Sequence, residues 1–358
     1  NTPSYVFTTN EAGAISSSSS LTGDVTAEVG NNTITYDTLD DGTYDSVTVT
    51  VTDAAGNVSN TLSVTTFVVD TTAPTFTTSP DDVTVQCSES TAPSNTGTAL
   101  SGDNTATVTS ADTTVAGTGN NSVITRVWTA TDPAGNSSTY TQTITVVDTT
   151  APTFTTSPAN VTVECSASSE PSATGTAVAS DNCDDDVTVA YADTTEAGVG
   201  NNSVITRVWT ATDDNSNSVT YTQTITVVDT TAPTFTTSPD DVTVQCSASS
   251  EPSATGTAVA SDNCDTSVAI TYADTTVDGV GNNSVITRVW TATDDNSNSK
   301  TYTQTITVVD TTAPSFTTSP ASVTVECSAD SSPDGTGTAA ASDNCDTSVT
   351  VAYADTTV

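Results

Sequence analysis

A repeat of about 80 residues runs through most of this chain and constrains its fold more than any other feature. The string DTTAP begins at Asp70, Asp148, Asp229 and Asp310, so its spacings are 78, 81 and 81 residues. Segments 148–228 and 229–309 differ at only 11 of 81 aligned positions, which indicates recent duplication. A repeat of this length is long enough for a self-contained domain, whereas solenoid repeats are about 20–47 residues long.

Short strands separated by turns are the local structure that each repeat predicts. In the segment 148–228, apolar and polar residues alternate in the way that strands require, and Gly, Pro, Asn and Asp occupy the intervals. Six or seven short strands punctuated in this way predict a Greek-key, immunoglobulin-like sandwich. The single Trp of each repeat, here Trp209, is expected in the core. Strands are predicted at 153–156, 161–165, 187–191, 203–212 and 221–228.

The predicted fold class is therefore all-β, a tandem array of immunoglobulin-like Greek-key β-sandwich repeats of about 80 residues. Pro in each short linker favours extended backbone before it, so we expect the repeats to lie end to end. The predicted domains are module one (1–69), which lacks Cys and Trp, modules two to four (70–147, 148–228 and 229–309), and module five (310–358), the N-terminal part of a further repeat. Because module five has no VWTATD strand, the sequence predicts a longer parent chain.

Charge excludes several classes of function. Acidic residues outnumber basic ones by 43 to 4, so there is no basic surface to bind a nucleic acid backbone. The same charge opposes anchoring on anionic lipid. The sequence has no apolar run long enough to span a membrane, so we expect no direct membrane insertion. The chain has no His and a single Lys, so the usual acid–base groups of an enzyme are scarce and we expect no catalytic activity.

Four sequence motifs of the repeats resemble the hyalin-type (HYR) repeat. They are the DTTAP linker, VTVEC near the start of the repeat, SDNC in its middle, and VWTATD followed by TITVVD. Module one, with FTTNEAG and VTDAAGNVSN, is similar to the bacterial immunoglobulin-like repeats of large surface adhesins. The resemblance implies an immunoglobulin-like fold and a role in extracellular adhesion. The near-identical repeats and the composition of this chain also resemble those of the giant mobile adhesins of gliding Bacteroidota.

Seven cysteines predict a disulfide framework rather than a zinc site, because clustered CxxC motifs and His are missing. In three repeats, two cysteines stand 18 positions apart, while Cys87 stands alone and its expected partner site is Thr105. We therefore expect Cys87 to be a free thiol and the disulfides to lie within repeats, as Cys165–Cys183, Cys246–Cys264 and Cys327–Cys345.

Calcium is the one cofactor that the sequence suggests, although the fold should not require it. The DxNxN loops offer oxygen ligands beside a linker aspartate, but such turns also form without metal. The candidate ligands are Asp213, Asn215, Asn217, Asp229, Asp294, Asn296, Asn298 and Asp310. The DTT tripeptides also resemble the O-glycosylation signal of Bacteroidota, which would place sugars at Thr71, Thr149, Thr230 and Thr311.

The leading functional hypothesis is the repetitive stalk of a large cell-surface adhesin that attaches to surfaces or polysaccharide, with gliding motility as the setting that the resemblance implies. The expected partners are extracellular surfaces or polysaccharides and the export or motility machinery of the host, and the expected location is the bacterial cell surface. The alternative is a structural extracellular filament or surface-layer component without ligand-binding activity. A carbohydrate-binding appendage of a secreted enzyme is a third interpretation.

Overall fold

The computed structural model describes residues 2–23 and 25–356. Within these ranges the regular structure is almost entirely β-strand, with four helices of one turn each. None of the described helices is long and apolar enough to span a membrane. Every hydrogen-bonded sheet draws its strands from one sequence module, which is the all-β, immunoglobulin-like repeat architecture that the strand spacing predicts.

Module one differs from the others in having three small sheets. Their strand orders are β1-β5-β3, β4-β2-β7-β8 and β6-β9. Its core contains Phe7, Ile34 and Val49, with Tyr36 beside them. The strands are β1 (Ser4–Thr9), β2 (Gly13–Ser17), β3 (Leu21–Thr22), β4 (Thr26–Ala27), β5 (Gly30–Tyr36), β6 (Gly42–Tyr44), β7 (Thr48–Thr52), β8 (Leu62–Ser63) and β9 (Phe67–Val69).

Modules two, three and four share one order of elements, which is two short strands, a helical turn, a short strand and three long strands. Module two has β10 (Phe76–Thr78), β11 (Val83–Gln86), α1 (Pro93–Thr96), β12 (Leu100–Ser101), β13 (Thr107–Ala116), β14 (Ser122–Thr131) and β15 (Ser137–Val147). Module three has β16 (Thr153–Thr156), β17 (Val161–Glu164), α2 (Pro171–Thr174), β18 (Val178–Ser180), β19 (Thr188–Ala197), β20 (Ser203–Thr212) and β21 (Ser218–Val228).

Module four repeats this order, and module five follows it only in part. Module four has β22 (Thr234–Thr237), β23 (Val242–Gln245), α3 (Pro252–Thr255), β24 (Val259–Ser261), β25 (Ala269–Asp278), β26 (Ser284–Thr293) and β27 (Ser299–Val309). Module five has β28 (Ser315–Thr318), α4 (Pro333–Thr336) and β29 (Ala340–Ser342). The segment 310–358 contains no counterpart of β26 and β27, so its apolar residues lack the strands that bury them elsewhere.

The chain divides into two compact units. Unit one is Asn1–Thr153 with Ala179–Thr188 and Ala211–Val219, and unit two is Phe154–Val178 with Val189–Thr210 and Thr220–Val358. All contacts described below lie inside one unit.

In modules two, three and four, a parallel strand pair defines the ends of the sandwich. In module four, β23 pairs in parallel with the last strand β27, so that Gln245 lies opposite Val309. The other long strands are antiparallel, in the order β23-β27-β26-β25, and β22-β24 forms the second sheet. Because parallel strands point the same way, the end of β23 lies at the exit of the module, beside the following linker.

The core of module four lies between these sheets and is closed by the helical turn α3. Alternate residues of β26 and β27 face inward, among them Ile286, Trp290 and Ile306. Gln304 is fully buried on the same face and donates from Nε2 to the carbonyl oxygens of Thr255 (2.8 Å) and Asp240 (2.9 Å). These bonds satisfy the amide nitrogen, which removes the main cost of burying it.

The predicted strands 153–156 and 203–212 are confirmed as β16 and β20, with the same bounds. Strand β19 is longer than the predicted 187–191, and the pattern did not reveal β18 or the helical turns. The prediction that Trp209 lies in the core is confirmed, since it is 4% exposed.

Candidate functional site: the joints between modules

The two cysteines of module four lie at opposite ends of its sandwich. The backbone NH of Cys246, which follows β23, donates to the carbonyl of Val309, the residue just before the linker aspartate Asp310. Cys264 lies instead beside Asp229, the linker aspartate that precedes the module. The strand β27, which links the two ends, has 11 residues, and a strand of that length spans about 35 Å. A disulfide needs Cα atoms about 4.4–6.8 Å apart, so these two cysteines cannot pair with each other.

The structure joins cysteines of neighbouring modules instead. The disulfides are Cys87–Cys183, Cys165–Cys264 and Cys246–Cys345, each with a Cα–Cα distance of 5.9 Å. The expected pairs Cys165–Cys183, Cys246–Cys264 and Cys327–Cys345 are therefore wrong. Cys87, expected to be free, is bonded, and the free cysteine is the exposed Cys327. In modules two, three and four, the first cysteine pairs with the second cysteine of the next module.

The sequence of module two indicates pairing between modules. It carries Thr105 where the later modules have their second cysteine, and module one has no cysteine at all. Under pairing between modules, a cysteine at position 105 would need a partner in module one. Pairing between modules requires that a cysteine at position 105 and its partner in module one be absent together, as they are. Pairing within modules would leave Cys87 without a partner.

We use the name Asp148 joint for Asp148 with the residues around it, which are Cys87, 117–121, 181–184 and 213–217. The Asp229 joint has the corresponding set, which is Cys165, 198–202, 262–265 and 294–298. Each set lies within one unit, the Asp148 joint in unit one and the Asp229 joint in unit two.

Carboxylates gather at both joints. Oxygens of Asp148, Asp181 and Asp213 lie within 4.8 Å of one another, and so do oxygens of Asp229, Asp265 and Asp294. The sequence placed Asp213 with the following linker residue Asp229, and Asp294 with Asp310. That grouping is wrong, because the turn of each module folds back to the linker that precedes the module. Asp181 lies in the SDNC motif and Asp265 directly follows it, and the sequence analysis did not include either among the candidate calcium ligands.

The four asparagines proposed as calcium ligands act as hydrogen-bond donors. Asn217 donates from its backbone NH and its side chain to the carboxylate of Asp213 (2.7 and 2.8 Å), and Asn298 does the same to Asp294. Asn215 donates to the carbonyl of Gly119 (3.1 Å), a residue of the preceding module. Asn296 makes the equivalent bond to Gly200 (3.3 Å). These side chains thus shape the turn and the joint.

A second asparagine-rich loop completes each joint from the preceding module. At the Asp229 joint, the backbone NH of Asp229 donates to Oδ1 of Asn202 (2.7 Å), and Asn201 donates to the carbonyl of Cys264. Asn201 has φ +59° and Gly200 has φ +60°, so two successive residues are left-handed. Asn and Gly are the residues that accept this conformation most readily.

The linker aspartate of the Asp229 joint is buried among other acids. Asp229 is 5% exposed, and Asp265 and Asp294 are 8% and 6% exposed. Burial raises the pKa of the Asp229 carboxyl above its usual range, and repulsion from Asp262, Asp294 and Asp265 acts in the same direction. Negative charge is therefore concentrated where water is largely excluded.

The arginine of modules two, three and four has a structural role within its own module. Arg207 is buried and forms an ion pair with Asp193 (2.8 Å), and its guanidinium lies 4.6 Å from the ring centroid of Tyr191. The cause of the raised pKa of Arg207 is chiefly the hydrogen-bonded Asp193 carboxylate. Arg126–Asp112 and Arg288–Asp274 are the corresponding pairs.

The linker threonines are exposed, but their hydroxyl groups are engaged. Thr71 donates to Asp41 (2.7 Å) and Thr230 donates to Glu164 (2.5 Å). Thr149 and Thr311 accept hydrogen bonds from Gln86 and Gln245. O-glycosylation at these four positions stays a prediction.

A cleft of about 540 Å³ lies on module one between Phe7, Asn10, Val51 and Leu62. Its lining side chains are apolar groups, hydroxyls and amides, without a carboxylate or an amine. The expectation that the chain is not an enzyme stays a prediction.

No protein-family model matches the chain, and no curated protein matches it. Among solved structures, Drosophila N-cadherin EC1–4 is similar over 85% of this chain and 93% of its own, with 14% identity and TM-score 0.27. The protocadherin gammaB7 EC3–6 cis-dimer structure covers 84% and 94%, with 14% identity and TM-score 0.28. Titin domains I67–I69, in an E-to-A mutated variant, cover 66% and 99%, with 11% identity and TM-score 0.28. Scores this low carry no argument about function.

Proposed function

We propose that this chain is a tension-bearing stalk segment of a large, secreted bacterial surface adhesin. The observation that carries the proposal is the overlap of the three disulfides. Cys165 precedes Cys183 in the chain, and Cys246 precedes Cys264, so each disulfide loop begins before the previous one has closed. The modules are thereby linked in series by covalent bonds other than the backbone.

This overlap limits how far the chain extends if its modules unfold under force. The shortest covalent path crosses from Cys87 to Cys183, runs back to Cys165, crosses to Cys264, runs back to Cys246 and crosses to Cys345. Only two stretches of 18 residues carry the force between the first and the last of these cysteines. Their extended length with the disulfides is about 140 Å, whereas the whole backbone from Cys87 to Cys345 would reach about 900 Å.

A device of this kind suits a stalk that holds a cell to a substrate. A stalk that lengthened severalfold under load would lose tension, and its unfolded modules would be open to proteolysis. The finer parts of the proposal rest on the sequence alone. The hyalin-type resemblance suggests an extracellular location and attachment to surfaces or polysaccharide, and the resemblance to the adhesins of gliding Bacteroidota suggests a gliding motility system as the host machinery. The absence of His and the single Lys support the absence of catalytic activity.

Single-molecule force spectroscopy tests the proposal, with the chain held by its two ends. In the oxidised chain, extension of the 87–345 region should stop near about 140 Å even after its modules unfold. Reduction should release the full contour. Module one has no cysteine, so its unfolding step should be the same in both conditions and serves as an internal control. Equal extension with and without reductant would contradict the proposal.

A structural filament is the second candidate, favoured by the near identity of modules three and four. An in-frame deletion of 229–309 separates the candidates, and it should preserve the disulfide pattern because Cys165 would then meet Cys345. A stalk should shorten by one module with little change in attachment. If each module binds ligand, attachment should fall with copy number. If deletion of the whole array abolished side-by-side assembly of the protein but left attachment unaffected, the filament would be favoured.

A further inference from the structure

The carboxylate clusters of the two joints contain oxygen atoms that have no partner. Asp148 is 5% exposed and its Oδ2 accepts no hydrogen bond, while its Oδ1 accepts one from the NH of Thr150 (3.0 Å). Asp229 is 5% exposed and has the same arrangement, with Oδ2 unpartnered and Oδ1 bonded to Thr231. Buried carboxylate oxygens are normally hydrogen-bonded, paired with a basic group or bound to a metal.

The neighbouring acids have unsatisfied oxygens as well. Oδ1 of Asp181 accepts from the NH of Cys183 (2.8 Å) and the NH of Asp184 (3.2 Å), whereas its Oδ2 is buried and unpartnered. Asp262 repeats this pattern at the Asp229 joint. Each joint therefore has at least two carboxylate oxygens that are removed from water and left without a donor.

The basic residues of the chain are used elsewhere. The three arginines form ion pairs with aspartates on their own modules, at 2.7–2.8 Å. The remaining basic residue is the exposed Lys300, and its counterpart in module three is Val219, so the Asp148 joint has no such lysine. The negative charge of the joints is thus not balanced by a described side chain.

We propose that each of these joints binds one calcium ion between the linker aspartate and the two acidic segments of the following module. The ligands would come from Asp148, Asp181 and Asp213 at one joint, and from Asp229, Asp265 and Asp294 at the other. Calcium takes six to eight oxygen ligands in flexible geometry, and carboxylates supplemented by backbone carbonyls and water are its usual set. Three carboxylates within 4.8 Å of one another match this chemistry.

Calcium at this position would fix the linker. Asp229 already donates its backbone NH to Asn202 of the preceding module, while its carboxylate faces acids of the following module. A cation on that carboxylate would therefore tie two modules to one residue, beside the disulfide Cys165–Cys264. The inference stands apart from the proposed function, since the disulfides limit extension whether or not metal is bound.

The test is a calcium titration of the intact oxidised chain at physiological ionic strength, followed by calorimetry and thermal unfolding. The wild type should bind at least two Ca²⁺ ions, and Asp148→Asn and Asp229→Asn should each lose one site. Asp70→Asn is the matched control, because no described carboxylate cluster includes Asp70. It should bind as the wild type does, which separates the sites from weak association with the acidic surface.

Thermal unfolding gives a signature that a merely structural aspartate would not produce. In EGTA, Asp229→Asn should be more stable than the wild type, because one repelling charge is gone. In calcium the order should reverse, because the variant has lost a ligand. Absence of calcium binding, equal calcium responses in Asp229→Asn and Asp70→Asn, or no reversal of order would each overturn the proposal. Each of these outcomes leaves the proposed function testable, because force spectroscopy in EGTA measures the effect of the disulfides without calcium.

Discussion

The first linker and the two that follow it share the sequence DTTAP, but they form different joints. At the Asp70 joint, formed by Asp70 and the turn 132–136 of module two, the side chain of Asn136 donates to the carbonyl of Asp70 (2.8 Å), and Asp132 caps the turn. The Asp148 and Asp229 joints keep that bond through Asn217 and Asn298 and add a disulfide and a cluster of acids. The linker residues alone therefore do not determine the joint.

The disulfide and the cluster of acids of the later joints come from segments that are far from the linker in sequence. Module two has Gly102 and Thr105 where the later modules have the SDNC motif, so at the Asp70 joint it offers no cysteine. Module one has no equivalent of Cys87. A covalent joint therefore needs matched cysteines on both modules, and the disulfides reinforce the array only from module two onward.

Removal of one disulfide should have the largest effect on the stability of a joint. The double variant Cys165→Ser/Cys264→Ser makes the Asp229 joint more like the Asp70 joint. The bond spans 99 residues, and removing a native disulfide of this kind costs about 3 kcal/mol. The fluorescence of Trp209 and Trp290, which are buried in the two modules concerned, should report the change in denaturant unfolding.

Cys327→Ser is the control for that experiment. It removes an exposed free thiol and no disulfide, so its unfolding curve should match the wild type. A double variant as stable as this control would show that the disulfide contributes nothing to folding stability at the joint.

A smaller effect should separate two identical loops. Gly200 and Gly281 belong to the same GVGNN sequence, with φ +60° and +66°. A Cβ at Gly200 would overlap the side chain of Asn296 across the joint, whereas a Cβ at Gly281 would have no atom within 4 Å. Both alanine variants should lose about 1 kcal/mol through the left-handed backbone.

Gly200→Ala should lose about 1 kcal/mol more than Gly281→Ala, because the joint must shift to accommodate the methyl group. Chemical denaturation of the two variants side by side measures this difference, since the backbone penalty cancels. Equal losses would mean that the contact between Gly200 and Asn296 does not stabilise the Asp229 joint.

Strand positions could be read from the sequence, because each depends on a local pattern. The strand 203–212 has alternating apolar and polar residues and flanking turn residues, and its bounds are those that the pattern predicts. The helical turn 171–174 was not predicted, since four residues carry no periodicity. Its start at Pro171 is explained by the fixed φ of proline, which suits the first position of a helix.

The joints could not be read in the same way, because their contacts link residues far apart in the chain. The spacing of 18 between Cys246 and Cys264 suggested a pair, but parallel pairing of β23 with β27 places Cys246 at the far end of the module. That pairing is a tertiary feature. The loop of Asp294 was likewise assigned to the following linker because it is nearer in sequence, although it contacts the preceding one.

A map of free thiols shows whether successive modules are covalently linked. Alkylation of the unreduced, denatured chain, followed by peptide mapping, should label Cys327 and leave Cys87 unlabelled. The variant Thr105→Cys sharpens the result. With linkage between modules, its new thiol has no partner and two cysteines should be labelled, whereas pairing within modules would join it to Cys87 and leave none. Label on Cys87 in the wild type, or loss of all label in the variant, would contradict covalent linkage between modules.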